Sequence, residues 1–198
     1  MTISIFKLPP AQPILILKDW LNQAINQKIL QPATLALATA NKQGQASNRI
    51  VQVLEITLEG LIFVTHTNSQ KGKEIALTGW ASGLFYWREL NQQVILSGPV
   101  ELLTEEESDS LWKKRSITTY AMSIASKQSE TLQDEEELRR QAELLVAISA
   151  TLTRPKTWSG YLLKPVVIEF WEGANDRLHQ RLRYDRVDDT WQPRRLQP

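Results

Sequence analysis

The stretch RLHQRLRYDR, residues 177–186, carries four arginines and one of the two histidines of a 198-residue chain whose formal net charge is only +1. Guanidinium groups meet carboxylate and phosphate through paired N–H donors, so such a run can bind an anion. Read as a strand with alternating faces, it sets Arg177, His179, Arg181 and Arg183 on one side. Leu178, Leu182 and Tyr184, with Gln180, take the other, and their apolar groups suit a core. A solvated strand with arginines for solubility accounts for the same pattern. On the residues alone the solvated strand is the favoured reading, because exposed arginine is common.

Other chemistry is sparse. With no cysteine, disulfides, thiolate metal sites and cysteine nucleophiles are excluded. Two histidines, His66 and His179, are too few for a histidine-rich metal site, and no metal is expected. The sequence has no phosphate-binding Walker loop, no dinucleotide fingerprint and no nucleophile elbow. The near-neutral balance speaks against nucleic acid as a partner. No apolar run is long enough to span a bilayer, and the N-terminus does not read as a signal peptide, so the expected location is cytoplasmic.

The elements that must position the arginine stretch can be read from periodicity. Three prolines in residues 1–13 suggest an extended arm. Ile14, Leu17, Leu21 and Ala24 then recur at helical spacing. Short apolar or alternating runs at 33–40, 48–56, 59–65, 80–87 and 92–103 read as strands, with room for a two-turn helix at 69–78. Thr104 with Glu107 forms a capping-box pattern ahead of a helix, and Asp134 opens another with acidic residues in its first turn. Strands return at 160–171, and residues 177–186 pair with TWQPRRL as a hairpin across VDD. Short strands at close spacing predict an α+β fold built on an antiparallel barrel or sandwich, with the whole chain as one domain.

Several segments together resemble the pyridoxamine 5′-phosphate oxidase family, whose fold is an FMN-binding split barrel of Greek-key type with peripheral helices. They are SNRIVQV (47–53), THTNSQKGKE (65–74), LFYWRELNQQVILSGPVELLTEEES (84–108), SKQSE (126–130) and IEFWEGANDRLHQRLRYDR (168–186). The resemblance implies FMN contacts at Arg49, Thr65, Ser69, Gln70, Lys71, Gln93, Gln128, Ser129, Trp171 and Arg181, with Lys71 beside the phosphate. Gln70 stands where the family usually has arginine. Arg177 and His179 fall at the substrate-side positions over the flavin ring, where His179 would accept a proton or bind substrate. The family also implies a homodimer with FMN at the subunit interface.

The departures bear on the substrate. Where the family holds a substrate phosphate with lysine, tyrosine, arginine and serine, this chain has Leu54, Leu111, Arg115 and Thr119. Two apolar replacements predict a greasier pocket for a larger, flatter ligand. The segments 65–74, 79–89 and 121–134 and the chain's end resemble most the branch of flavin oxidases acting in phenazine biosynthesis. That resemblance implies oxidation of a reduced phenazine carboxylic acid, by hydride transfer to FMN with reoxidation by dioxygen. A vitamin B6 oxidase with an altered phosphate site and a non-catalytic flavin-binding barrel are the alternatives. Leu54 and Leu111 argue against the first, and retention of Arg177 and His179 against the second.

Overall fold

The structure is a computed structural model describing residues 4–148 and 152–198, without the side chains of residues 117 and 118. The first three residues of the expected arm, and residue 149 at the end of the second capped helix, lie outside the described residues. All strand pairings are antiparallel. β1 (Thr34–Ala40), β2 (Ala46–Ile56), β3 (Leu61–His66), β6 (Trp158–Leu163), β5 (Gln92–Leu102) and β4 (Trp80–Trp87) follow one another around a closed six-stranded barrel, sealed by β4 on β1 and on β5. From β5 the sheet continues outward through β7 (Val167–Glu172), β8 (Gln180–Val187) and β9 (Thr190–Leu196).

The split lies along β5. Its first half, Gln92–Ser97, pairs with β7, and its last residues, Val100–Leu102, pair with β6. Lys164 and Val166 turn the corner between β6 and β7 by donating to Pro99 O and Ser97 O, each at 2.9 Å. The crossing is so close that a Cβ on Gly98 would lie 2.0 Å from Lys164 O. Only glycine fits there.

Alternation fills the barrel. Leu35 and Leu37 of β1, Val51 and Val53 of β2, Leu61 and Phe63 of β3, and Val94 and Leu96 of β5 all point inward and are buried. Helix α1 (Pro13–Asn26) lays Ile14, Ile16, Leu17, Trp20 and Ala24 on this core, with Trp20 edge-on to Phe170 at 5.2 Å. Each large side chain so buried contributes roughly 1.5–3 kcal/mol. Leu21, expected on the same stripe, is only partly buried.

The expected extended arm is instead folded back. Phe6 is buried against Trp20. Arg195 covers the Phe6 ring and donates to its carbonyl, while Tyr184 Oη donates to Pro10 O at 2.9 Å. Proline content gave no hint of these partners, two of which, Tyr184 and Arg195, come from the far end of the chain.

Helix α2 (Gln70–Thr78) closes one end of the barrel, and α3 (Glu105–Lys113), α4 (Ile117–Ala125) and α5 (Glu135–Ala147) lie outside it. The Thr104–Glu107 capping box forms with both of its hydrogen bonds. Buried Arg154 ties α3 to the entrance of β6 through Asp109, Glu105 and Trp158 O. Among the described residues no helix is long and apolar enough to cross a membrane.

Candidate active site

The inward rows of three strands change character at one end of the barrel. Leu35 and Leu37 are followed by Thr39, Val53 and Val51 by Arg49 and Ser47, and Leu61 and Phe63 by Thr65. The antiparallel register sets Leu37 opposite Arg49 and Thr39 opposite Ser47, so these polar groups share one rim. Helix α2 lies over it. Its N-cap Ser69 accepts from Gly72 N at 3.2 Å and donates to His66 O at 2.7 Å. Lys71 and Glu74, three residues apart, turn the same buried face toward the rim.

Glu74 is the hub of the rim. Thr39 Oγ1 and Ser47 Oγ donate to its Oε2, Gln70 Nε2 donates to Oε1 at 3.0 Å, and Arg49 pairs with it at 3.4 Å. Burial opposes ionisation, but these hydrogen bonds and the guanidinium outweigh it and hold the carboxyl at about 2. The Arg49 guanidinium also donates to Thr39 Oγ1, Ser47 Oγ and Leu37 O. Gln70, at the family's arginine position, is thus engaged with Glu74 rather than extended from the helix.

Lys71 is set differently. Its ammonium donates to Gln128 Oε1 at 2.9 Å and Thr65 Oγ1 at 3.2 Å, both neutral oxygens. Burial first, and the nearby Arg49 charge second, lower it from the ordinary lysine value. Gln128 and Ser129 reach this point from the segment after α4. There Ser129 takes a left-handed φ of 75° and accepts from Gln70 N at 3.1 Å. A buried ammonium among hydroxyls, an amide oxygen and a helix start, with no carboxylate on it among the described residues, fits a phosphate group.

A second group of expected flavin contacts lies on the outer sheet. Gln93 of β5, Trp171 of β7 and Arg181 of β8 stand side by side in register. Arg181 pairs with buried Glu169 at 2.7 Å and also donates to Gln197 O. His179 packs its ring on Trp171 at 4.9 Å between centroids, and its Nδ1 accepts from Ala174 N at 3.1 Å. The neutral ring therefore carries its hydrogen on Nε2. Among the described residues, no hydrogen bond, ion pair or ring contact joins this group to the Lys71 rim within one chain.

The expected alternation from Arg177 does not hold. β8 begins at Gln180, and Arg177 sits in a turn with φ of 66°, its amide bonded to Ala174 O. Leu178, expected on the core side, is 66% exposed. From Gln180 onward the alternation is as expected, with Leu182 and Tyr184 buried. Much of the stretch's charge is internally paired, as Arg181 with Glu169, Arg183 with Asp185 and Arg186 with Asp189. Among the described residues Arg177 has no carboxylate partner.

The four substrate-pocket positions separate. Arg115 lies over the rings of Trp112 and Trp158, at 5.2 and 5.0 Å, with its Nη1 buried and unbonded. It shares a cavity of about 190 Å³ with Thr65, His66, Met122, Gln128 and Trp158, next to the Lys71 rim. Leu111 is buried, and a Cβ on Gly160 would lie 2.9 Å from its Cδ1. It packs the small core with Trp112 and Trp158. Leu54 is 44% exposed and lines a groove between α1 and β2 with Lys18, Leu21 and Ile25. Thr119 is exposed and donates to Ser116 O in its own helix turn. Thr39, Ser47, Glu74 and His66 were not among the expected site residues. Only Glu74 carried a local signal, its spacing of three from Lys71.

Residues 21–148 match the family described as "Pyridoxamine 5′-phosphate oxidase", and residues 158–198 match the "Pyridoxine 5′-phosphate oxidase C-terminal dimerisation region". The dihydrophenazinedicarboxylate synthase of Burkholderia lata is 47% identical over 190 residues, covering 96% of this chain and 90% of that protein. The pyridoxine/pyridoxamine 5′-phosphate oxidase of Paraburkholderia phytofirmans is 38% identical over 182 residues, covering 90% and 85%. Among solved structures, PhzG from Burkholderia lata 383 in complex with tetrahydrophenazine-1-carboxylic acid matches with a TM-score of 0.97 and 45% identity, over 100% of this chain and 98% of that one.

Proposed function

Because the chain belongs to the pyridoxamine 5′-phosphate oxidase family, we propose that it is an FMN-dependent oxidase of phenazine biosynthesis acting on a reduced phenazine carboxylic acid. Identity to the dihydrophenazinedicarboxylate synthase exceeds that to the pyridoxine/pyridoxamine oxidase, 47% against 38%, at comparable coverage. Within this chain the reading is carried by Arg115. Its guanidinium lies over two indole rings in a cavity shared with Thr65 and Gln128, both partners of Lys71. A cation on aromatic surfaces beside a phosphate site suits the carboxylate of a flat ring acid. A phosphate dianion there would want further donors, and the neighbouring position is the packed Leu111.

The residues divide the work. Lys71, Arg49, Thr65, Ser69, Gln70, Gln128 and Ser129 hold the cofactor phosphate end. Gln93, Trp171 and Arg181 support the flavin ring, with Arg181 steadied by Glu169. Bound FMN supplies a two-electron acceptor whose electrons pass on to dioxygen. Arg177 and His179 orient the substrate. With Nδ1 occupied by Ala174 N, His179 offers an Nε2–H and is read as a hydrogen-bond donor. Among the described residues no contact links the two groups within one chain, and the match over 158–198 is to a dimerisation region, so a cytoplasmic homodimer would bring them together around FMN at the interface.

The test is direct. Protein purified from cells should be yellow and release FMN on heating, and it should consume oxygen with reduced phenazine carboxylic acids. A colourless protein that does not take up FMN would refute the cofactor reading. Efficient oxidation of pyridoxine phosphate, with reduced phenazines untouched, would establish the vitamin B6 alternative.

A further inference from the structure

His66 stands where the two anion positions meet, and the roles given above make no use of it. It ends β3 at 6% exposure, in the cavity that holds Arg115. Its Nδ1 lies 3.0 Å from Thr157 Oγ1, just before β6, and Ser123 of α4 lines the same cavity, its backbone favouring the protonated ring. The imidazole thus joins the barrel to the helix whose Met122 and Ser123 form one wall of the cavity. The charged groups acting on it are both cationic, Arg115 from the α3–α4 connection and Lys71 from α2. Its other neighbours, Thr157, Ser123 and its register partner Trp158, are neutral.

We propose that His66 is a positioning residue that takes up a proton from solvent when anions occupy the Lys71 and Arg115 positions, and that the imidazolium then holds α4 against β3 over the bound acid. The proposal rests on the reading of those two cations as the partners of the cofactor phosphate and the substrate carboxylate. The physical ground is charge balance. Burial, then Arg115, then Lys71 keep the ring below the ordinary imidazole value, and only the Ser123 backbone opposes them. Anions beside Arg115 and Lys71 cancel two of the three lowering causes. Protonation then makes the bond to Thr157 charge-assisted, roughly twice as strong as a neutral one, and draws the Ser123 backbone of α4 toward the imidazolium. Proton uptake linked to binding means that affinity rises as pH falls.

The chain has only two histidines, so proton NMR resolves the case. The imidazole signal missing from H66Q is that of His66, and if H66Q does not fold, H179Q assigns it by elimination. The titration midpoint is measured in ligand-free protein, with inorganic phosphate, with FMN, and with FMN plus phenazine-1-carboxylate. It should rise along the series, and by about one pH unit or more between the FMN form and the form with phenazine-1-carboxylate, equivalent to an affinity for phenazine-1-carboxylate about tenfold tighter at pH below both midpoints than at pH above both. In H66Q that dependence should fall below about twofold. An unmoved midpoint, or the same pH dependence in H66Q, overturns the proposal while FMN binding, read from flavin absorbance, leaves the function intact. Failure to bind FMN overturns both.

Discussion

Glu74→Gln should destabilise the protein in a pH-dependent way. The buried carboxyl sits at about 2 against an ordinary value of 4.5, a gap equivalent to roughly 3 kcal/mol in favour of the folded, ionised form. Glutamine keeps the shape and can still accept from Thr39 and Ser47, but it removes the charge facing Arg49, so the expected cost at pH 7 is about 2–3 kcal/mol. The folded value is depressed, so this contribution is fully present above about pH 4.5 and is lost as pH falls toward 2. Urea unfolding followed by tryptophan fluorescence, at pH 7 and in steps down to 3, measures it in both proteins. The stability gap should shrink to half or less by about pH 3. A gap that stays constant with pH, or no gap at pH 7, would show that the Glu74 charge is not what holds the rim together.

Lys71→Met should weaken FMN binding by about ten- to a hundredfold, the worth of one charge-assisted contact, as read by quenching of flavin fluorescence. Unchanged affinity would remove Lys71 from the phosphate site. Replacing Arg177 and His179 together by alanine should lower turnover far more than FMN content, and full oxygen uptake by the double variant would reduce that turn to a solvated loop. Leu54→Lys with Leu111→Tyr should raise pyridoxine-phosphate oxidation and impair oxidation of reduced phenazines. Because Leu111 packs directly over Gly160, tyrosine there should also cost roughly 1–3 kcal/mol in unfolding free energy. Equal activity of parent and variant on both substrates would show that these leucines do not set specificity.

What could be read from the sequence was what is local. The Thr104–Glu107 cap needs only residues three apart. β4 runs from Trp80 to Trp87 as its alternation and flanking glycine suggest, and the VDD turn works because Asp188 and Asp189 both take left-handed φ. The helix Ile117–Ala125 was not legible, because it opens on three β-branched residues, Ile117, Thr118 and Thr119, which favour strand over helix. Its place is set by α5 and by the Trp112–Tyr120 stack. Family resemblance pointed to Arg49, Thr65 and Lys71, which the fold brings to one rim, but not to Glu74. Three of its partners, Thr39, Ser47 and Arg49, lie 25 to 35 residues away and meet it only once the barrel closes. The start of the arginine strand was misjudged for a similar reason. The turn at Ala174–Arg177 sets the register, and alternation cannot show where a turn ends.

The way β5 passes one edge from β7 to β6 at Gly98 has a consequence for how such an enzyme can change. Gln93, and through it Trp171 and Arg181, is locked to the same ladder that closes the barrel wall, so a one-residue slip would turn all three to the opposite face. Arg115, Met122 and Leu111, by contrast, ride on α3, α4 and the link between them, outside that ladder. On the division of roles proposed above, mutation can redraw what the oxidant acts upon while the scaffold presenting it stays in register, and a new substrate asks for side-chain changes on the helices rather than a rebuilt barrel.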